Sequence, residues 1–275
     1  MLDNKSYAKN QPPLIEYKNV TLMRKDRKVL DCLTLSIGMG EHVAILGPNG
    51  SGKSTLIKTI TRELYPLATE DSYFKILGRD RWDIFELRAS LGIVDAGLIE
   101  AANYYMEVGV RSVAVKEFVL AGFFSSVGLW PNMDVTNAMR AKAWETLELL
   151  EIPHLLNRSL SEISTGEQRR VLIARALVHD PTALLLDEPS SSLDMRAASE
   201  LRKILRKIAA GGVSIIMVTH DLTDVIPEIG RVILLKEGRI FRDGAKEDIL
   251  KSETISGLFG VEFEVVRRDG YYYLW

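Results

Sequence analysis

The stretch GPNGSGKST, Gly47 to Thr55, carries the clearest chemical instruction in the chain. It satisfies the spacing G-x-x-x-x-G-K-[ST], follows the short apolar run Val43 to Leu46, and precedes Leu56, Ile57, Ile60 and Leu64 at helical spacing. Backbone N–H groups of a glycine-rich loop can wrap a polyphosphate because no Cβ blocks the approach, and the helix behind adds its positive N-terminal end. Gly47, Pro48, Asn49, Gly50, Ser51, Gly52, Lys53, Ser54 and Thr55 are therefore the candidate phosphate contacts. Lys53 is expected to reach the β- and γ-phosphates, and the Ser54 hydroxyl to coordinate Mg²⁺. Such a loop by itself does not choose among kinases, GTPases and ATPases.

Four further stretches bear on that choice. ALLLDEP, Ala183 to Pro189, ends an apolar strand on Asp187, where a carboxylate can hold Mg²⁺ through water. Glu188 follows at the carboxyl edge of the strand and can orient or deprotonate an attacking water. ISTGEQRR, Ile163 to Arg170, places a serine and a glycine at the opening of a helix, a second anion-binding N-terminus. SSLD ends on Asp194, and MVTHD sets His220 just after a strand.

The order of these motifs resembles the ABC ATPase family over residues from about 14 to 250. The resemblance implies an ATP-binding subunit that hydrolyses ATP to ADP and phosphate with Mg²⁺, as a head-to-tail dimer with two composite sites. It implies that Ser164, Thr165, Gly166 and Glu167 meet the γ-phosphate bound by the opposite subunit, and that Asp194 couples the two sites. His220 is then the switch at the γ-phosphate, and Glu188 and Lys53 complete the catalytic set. Asp187 and Ser54 are the metal-holding pair. The implied fold is α/β: a P-loop NTPase core with a mostly parallel sheet, an N-terminal antiparallel β part and an inserted helical subdomain. One domain of residues 14–275 is expected, with the helical part at about 96–167 inside a RecA-like core and a β-hairpin at about 261–275.

Three places depart from the family's pattern. Arg24 stands where an adenine-stacking aromatic is expected, and its guanidinium plane can stack on the base; Tyr17 is the alternative. Asp95 and Ala96 follow the strand Leu91 to Val94 where a glutamine would touch Mg²⁺ and a membrane partner. Thr165 and Glu167 modify the signature loop, the threonine staying small enough for phosphate access. The combination of STGEQRR, the missing glutamine and the helical insert resembles cassettes associated with molybdate transport and photorepair.

The elements that must position these residues follow from periodicity. Leu14 to about Ile37 reads as strand, with Cys32 buried in the alternation Leu30 to Ile37; Arg24, Lys25, Arg27 and Lys28 fall at a solvated turn. Phe74 to Leu77 is a further strand. From about Ala96 to Ser161 helical patterns take over, including Val113 to Phe124 and Ala138 to Leu150. Helices Gln168 to Val178 and Arg196 to Ala209 then alternate with strands Ala183 to Leu186, Val213 to Val218 and Val232 to Leu235, which argues for a mostly parallel sheet. Phe263 to Trp275 reads as a hairpin turning at Asp269-Gly270.

Composition bounds the partners. With 47% hydrophobic and 26% charged residues and a formal net charge of −2, nothing draws the molecule toward nucleic acid or anionic lipid. One cysteine cannot form an internal disulfide, which fits a reducing cytoplasm. Residues 1–13 read as a disordered polar lead without an export signal. The apolar run Phe118 to Trp130 is too short to span a bilayer, which needs about 20 residues, and is expected to form helical core or a docking surface. The expected partners are a second copy or a paralogous cassette and a transmembrane permease, with the chain peripheral on the inner face of the cell membrane. Importer type is favoured because LLNRSLSE lacks the glycine-rich acidic element of exporters. The alternative is a soluble ATPase in repair or regulation.

Overall fold

Alternating apolar positions organise the N-terminal strands, β1 (Ile15–Arg24) and β2 (Arg27–Ile37), in this computed structural model, which describes residues 11–107 and 112–275. The expected disordered lead lies, through residue 10, outside the described residues. Next come β3 (Val43–Leu46), α1 (Lys53–Ile60), β4 (Tyr73–Ile76), α2 (Ile84–Ser90) and β5 (Leu91–Val94). Four helices follow: α3 (Gly97–Glu107), α4 (Val115–Leu120), α5 (Asn137–Leu149) and α6 (Thr165–Leu177). Then β6 (Ala183–Asp187), α7 (Met195–Ala210), β7 (Ser214–Thr219), β8 (Arg231–Lys236) and β9 (Arg239–Ala245) alternate. Short helices α8 (Lys246–Ile249) and α9 (Ser252–Phe259) lead to β10 (Val265–Arg268) and β11 (Tyr271–Leu274).

The chain forms two compact units, one running to Trp82 and resuming over Val218–Trp275, the other Asp83–Met217. In the first, β1 pairs antiparallel with both β2 and β4, so the N-terminal β part is antiparallel as expected. Strand β3, buried at every position, pairs parallel with β8, which takes β9 as an antiparallel outer partner. Strands β10 and β11 pair around Asp269 and Gly270, both at positive φ.

Cys32 corrects the sequence reading: it is exposed, not buried. Register explains this. Leu22 pairs with Leu30 and Val20 with Leu33, so β2 carries one residue more than β1 over that step. Such a bulge lets Leu30 and Leu33, three positions apart, both face inward and leaves Cys32 turned out at φ +51°.

In the second unit β5 pairs parallel with β6, and β6 neighbours β7 in the sheet. Among the described residues between Val94 and Ala183 the elements are helical, with one isolated bridge, Ala114 to Ser159. Helix α6 is the packing centre, burying Val171, Ile173 and Ala174. It also buries Arg175, whose guanidinium donates to the carbonyls of Phe118 and Ser126 and lies over the Phe118 ring. Burial lowers that guanidinium's pKa to about 10, and it stays hydrogen-bonded rather than salt-bridged. Phe118, Val119 and Ala121 are fully buried, so the first half of the apolar run is core, while Trp130 at its end is exposed. Among the described residues no helix is long and apolar enough to cross a membrane.

Candidate functional site

The glycine loop begins where β3 ends and turns directly into α1, whose N-cap, Gly52, sits at φ +105°. A side chain there would be strained by its φ and would bring a Cβ within 2.8 Å of the Val29 carbonyl oxygen. A Cβ on Gly47 would likewise collide with the Leu235 carbonyl oxygen. The Gly238 N–H donates to the Ser51 carbonyl at 2.9 Å, so the turn after β8 holds the loop from behind. Lys53, only 4% exposed, donates from Nζ to the carbonyls of Gly47 at 2.8 Å and Pro48 at 3.2 Å. Its ammonium is thus held over the loop's own rim, while Ser54 is exposed on the first turn of α1. Successive N–H groups at a helix start, a lysine ammonium and an exposed hydroxyl are groups that can cradle an anion.

His220 lies in the same unit, exposed at the end of β7. Arg24 ends β1 and is exposed opposite Arg27 across the hairpin, so it is open to a stacking ligand. Tyr17 is not. Its ring stacks on Phe74 at 4.2 Å between centroids, its hydroxyl shares a 2.6 Å hydrogen bond with Thr59 Oγ1, and burial pushes its phenol above the ordinary range. The structure removes it as the alternative base contact because the core uses both its face and its hydroxyl.

In the second unit, Asp187 ends β6 half-buried, and Glu188 follows at φ +45°. Left-handed backbone costs a non-glycine residue roughly 1–2 kcal/mol and collects at functional turns. The Ser191 N–H closes that turn onto the Glu188 carbonyl at 3.1 Å. Ser164 is the N-cap of α6 in a reciprocal capping box: its hydroxyl accepts from the Glu167 N–H, and Glu167 Oε2 accepts from the Ser164 N–H and hydroxyl at 2.8 Å each. Burial pushes the Glu167 carboxyl up, but those two donors, together with the nearby Arg170 charge, outweigh it and hold the pKa below the usual value. Asp95 Oδ1 accepts from the Gly97 N–H at 2.8 Å, a local turn bond rather than an outward reach.

Sequence reasoning missed what Gly166 and Asp194 share. Asp194 caps α7 by accepting from the Ala197 N–H at 2.8 Å, and a Cβ on Gly166 would lie 2.9 Å from the Ala197 Cβ. Gly166 is therefore needed for close packing of α6 on α7, whatever it does toward phosphate. Gly166→Ala should lower the melting temperature by the equivalent of about 1–3 kcal/mol, because overpacking outweighs the gain in helix propensity. Adding Ala197→Gly should recover most of the loss in a thermal melt. No pattern in one sequence signals this contact, since it joins two helices.

The donor set bears on metal. Among the described residues no group of three or more His, Cys, Asp or Glu could hold an ion. Mg²⁺ that arrives on nucleotide phosphates needs only one or two protein oxygens rather than a cluster of acids.

A glycine cradle after a buried parallel strand, with an acid pair ending a second such strand, defines a nucleotide-hydrolysing α/β protein. Comparison with known proteins narrows this. The ABC transporter family model matches residues 30–191. The hemin import ATP-binding protein HmuV of Rhizobium meliloti is 31% identical, over 92% of this chain and 93% of its own length. Among solved structures, cbiO1 from Clostridium perfringens, part of the ABC transporter complex cbiONQ, superposes with a TM-score of 0.71 at 28% identity, over 89% of this chain and 93% of its own. The cassette MJ0796, solved as a dimer in a post-hydrolysis state bound to ADP and Pi, does so with a TM-score of 0.66 at 27% identity, over 84% and 98%. The chain belongs to the ABC transporter family as an ATP-binding subunit, and its activity is ATP hydrolysis.

Proposed function

We propose that this ATPase energises an importer-type transporter, closing as a head-to-tail dimer, with itself or a paralogous cassette, around two nucleotides. The observation that carries the reading is the match, over 92% of this chain, to a hemin import ATP-binding protein. In this reading the chain is cytoplasmic, docked on a transmembrane permease at the inner face of the membrane. It is a single cassette of about residues 14–275, whose helical part, about 96–167, brings the loop at Ser164 to the partner's nucleotide.

The residues divide the work as follows. The loop from Gly47 to Thr55 wraps the phosphates by backbone N–H groups, and Lys53 leaves its own carbonyls for the β- and γ-oxygens. Ser54 and Asp187 hold Mg²⁺, which when bound neutralises charge developing on the phosphates. Glu188 orients the attacking water and takes its proton, and His220 contacts the γ-phosphate. Ser164, Thr165, Gly166 and Glu167 close on that phosphate from the opposite subunit; Asp194 links the two sites.

Arg24 supplies the base contact. Arg24→Ala should weaken ATP binding by about 0.5–2 kcal/mol, the worth of a guanidinium–aromatic stack. Calorimetry with ATP checks this, and an unchanged affinity moves the base contact elsewhere on the exposed surface. Purification of the native complex tests the transport reading: an integral membrane protein should copurify. The second reading, a soluble ATPase switch in repair or regulation, draws on Asp95 and Ala96. The first turns back to Gly97 and the second has no polar side-chain atom with which to sense a partner. Isolation of the native protein without any membrane component would favour it.

A further inference from the structure

The segment after β7 holds its histidine with more than a strand end. Thr219, 1% exposed, donates from Oγ1 to Asp224 Oδ2 at 2.8 Å, and Asp224 is 2% exposed. The same Thr219 oxygen accepts from the Asp221 N–H at 3.1 Å. Asp221 Oδ1 in turn accepts from the Thr223 N–H at 2.8 Å and caps the short 3₁₀ turn Leu222–Asp224. One hydroxyl therefore ties the strand end, the residue after His220 and a buried carboxylate into a closed loop, with His220 exposed inside it. Strand β11 packs against that turn, and a Cβ on Gly270 would lie 3.1 Å from Pro227 Cγ, so the C-terminal hairpin backs the segment.

A carboxylate removed from water is costly unless it is hydrogen-bonded, so burying Asp224 needs a return. A hydroxyl-to-carboxylate bond is among the stronger hydrogen bonds and fixes geometry closely. We propose that Thr219 and Asp224 are positioning residues for His220: their clasp sets the direction in which the imidazole leaves β7. This rests on the reading that His220 contacts the γ-phosphate. Neither residue touches nucleotide; both act through the backbone on either side of the histidine.

The test compares Thr219→Val, which removes only the hydroxyl, with Thr219→Ser, which keeps it. It pairs Asp224→Leu with Asp224→Asn, which retains an acceptor oxygen. Thr219→Val should lower kcat about tenfold or more, since small misplacements of a reacting group cost that much, while KM for ATP stays within about twofold. Thr219→Ser and Asp224→Asn should recover most of kcat, and Thr219→Val/Asp224→Leu should be no slower than Asp224→Leu alone. His220→Ala runs alongside. If His220→Ala destroys turnover but folded Thr219→Val keeps kcat within about twofold of the parent, the clasp is overturned and the histidine reading stands. If His220→Ala turns over at the parent rate, the histidine reading fails and the proposal fails with it. Should Thr219→Val not fold, the contrast of Asp224→Asn with Asp224→Leu decides by the same split between kcat and KM.

Discussion

Replacing Glu188 with glutamine should leave ATP binding intact and slow turnover by about 10²–10⁴-fold, the usual worth of a general base. The amide matches the carboxylate in size and keeps its hydrogen-bonding reach, but it cannot accept a proton. The backbone argues for the same residue. Glu188 sits one position beyond the last residue of β6, half-buried, at φ +45°. That conformation turns its side chain out of the strand's alternation at the carboxyl edge of the sheet, where ligands of open α/β sheets bind. Single-turnover hydrolysis and equilibrium ATP binding separate the two effects. The variant should also accumulate as an ATP-loaded dimer on gel filtration, because closure no longer ends in cleavage. Turnover near the parent rate would mean that another group polarises the water.

Much of this architecture was legible because its signals are local. The glycine loop, the acid pair after an apolar strand and the helix opening at Ser164 each depend on residues within a few positions of one another. Buried strands such as β3 and β6 announce themselves as short apolar runs. What escaped depends on pairing. Strand β9, RIFRDGA, was missed because it pairs only with β8 and its charged positions face solvent, which leaves no alternation to read. Cys32 was misplaced because a bulge belongs to the register between two strands and to neither sequence alone. Tyr17 looked available for a base until Phe74, far along the chain, was found stacked on it. Gly166 was legible as an access residue but not as a spacer, since Ala197 lies on another helix. The clasp at Asp224 falls between: Thr219 and Asp224 are close in sequence, yet a buried Thr–Asp pair needs the turn Leu222–Asp224 to bring it together.

The largest effect of all should come from mixing two inactive variants. Lys53→Ala removes the ammonium from the phosphate loop. Ser164→Asp keeps an excellent N-cap for α6 but sets a carboxylate where the proposed dimer brings a phosphate, so the helix should survive and the anion be repelled. Each protein alone should hydrolyse ATP at a small fraction of the parent rate. If Ser164 serves the nucleotide of the opposite subunit, a mixed dimer places both lesions in one site and leaves the other intact. If Lys53 and Ser164 serve the same chain's nucleotide, both sites of the mixed dimer stay defective. Random pairing makes half the dimers mixed, each with one working site of two, so an equal mixture should recover about a quarter of the parent activity. The measurement is ATPase rate against mixing ratio, with subunit exchange verified by differently tagged chains. Recovery that peaks at the equal mixture supports the head-to-tail arrangement. Mixed dimers that form and stay silent would place the two groups at the same chain's nucleotide, and the reciprocal dimer would have to be abandoned.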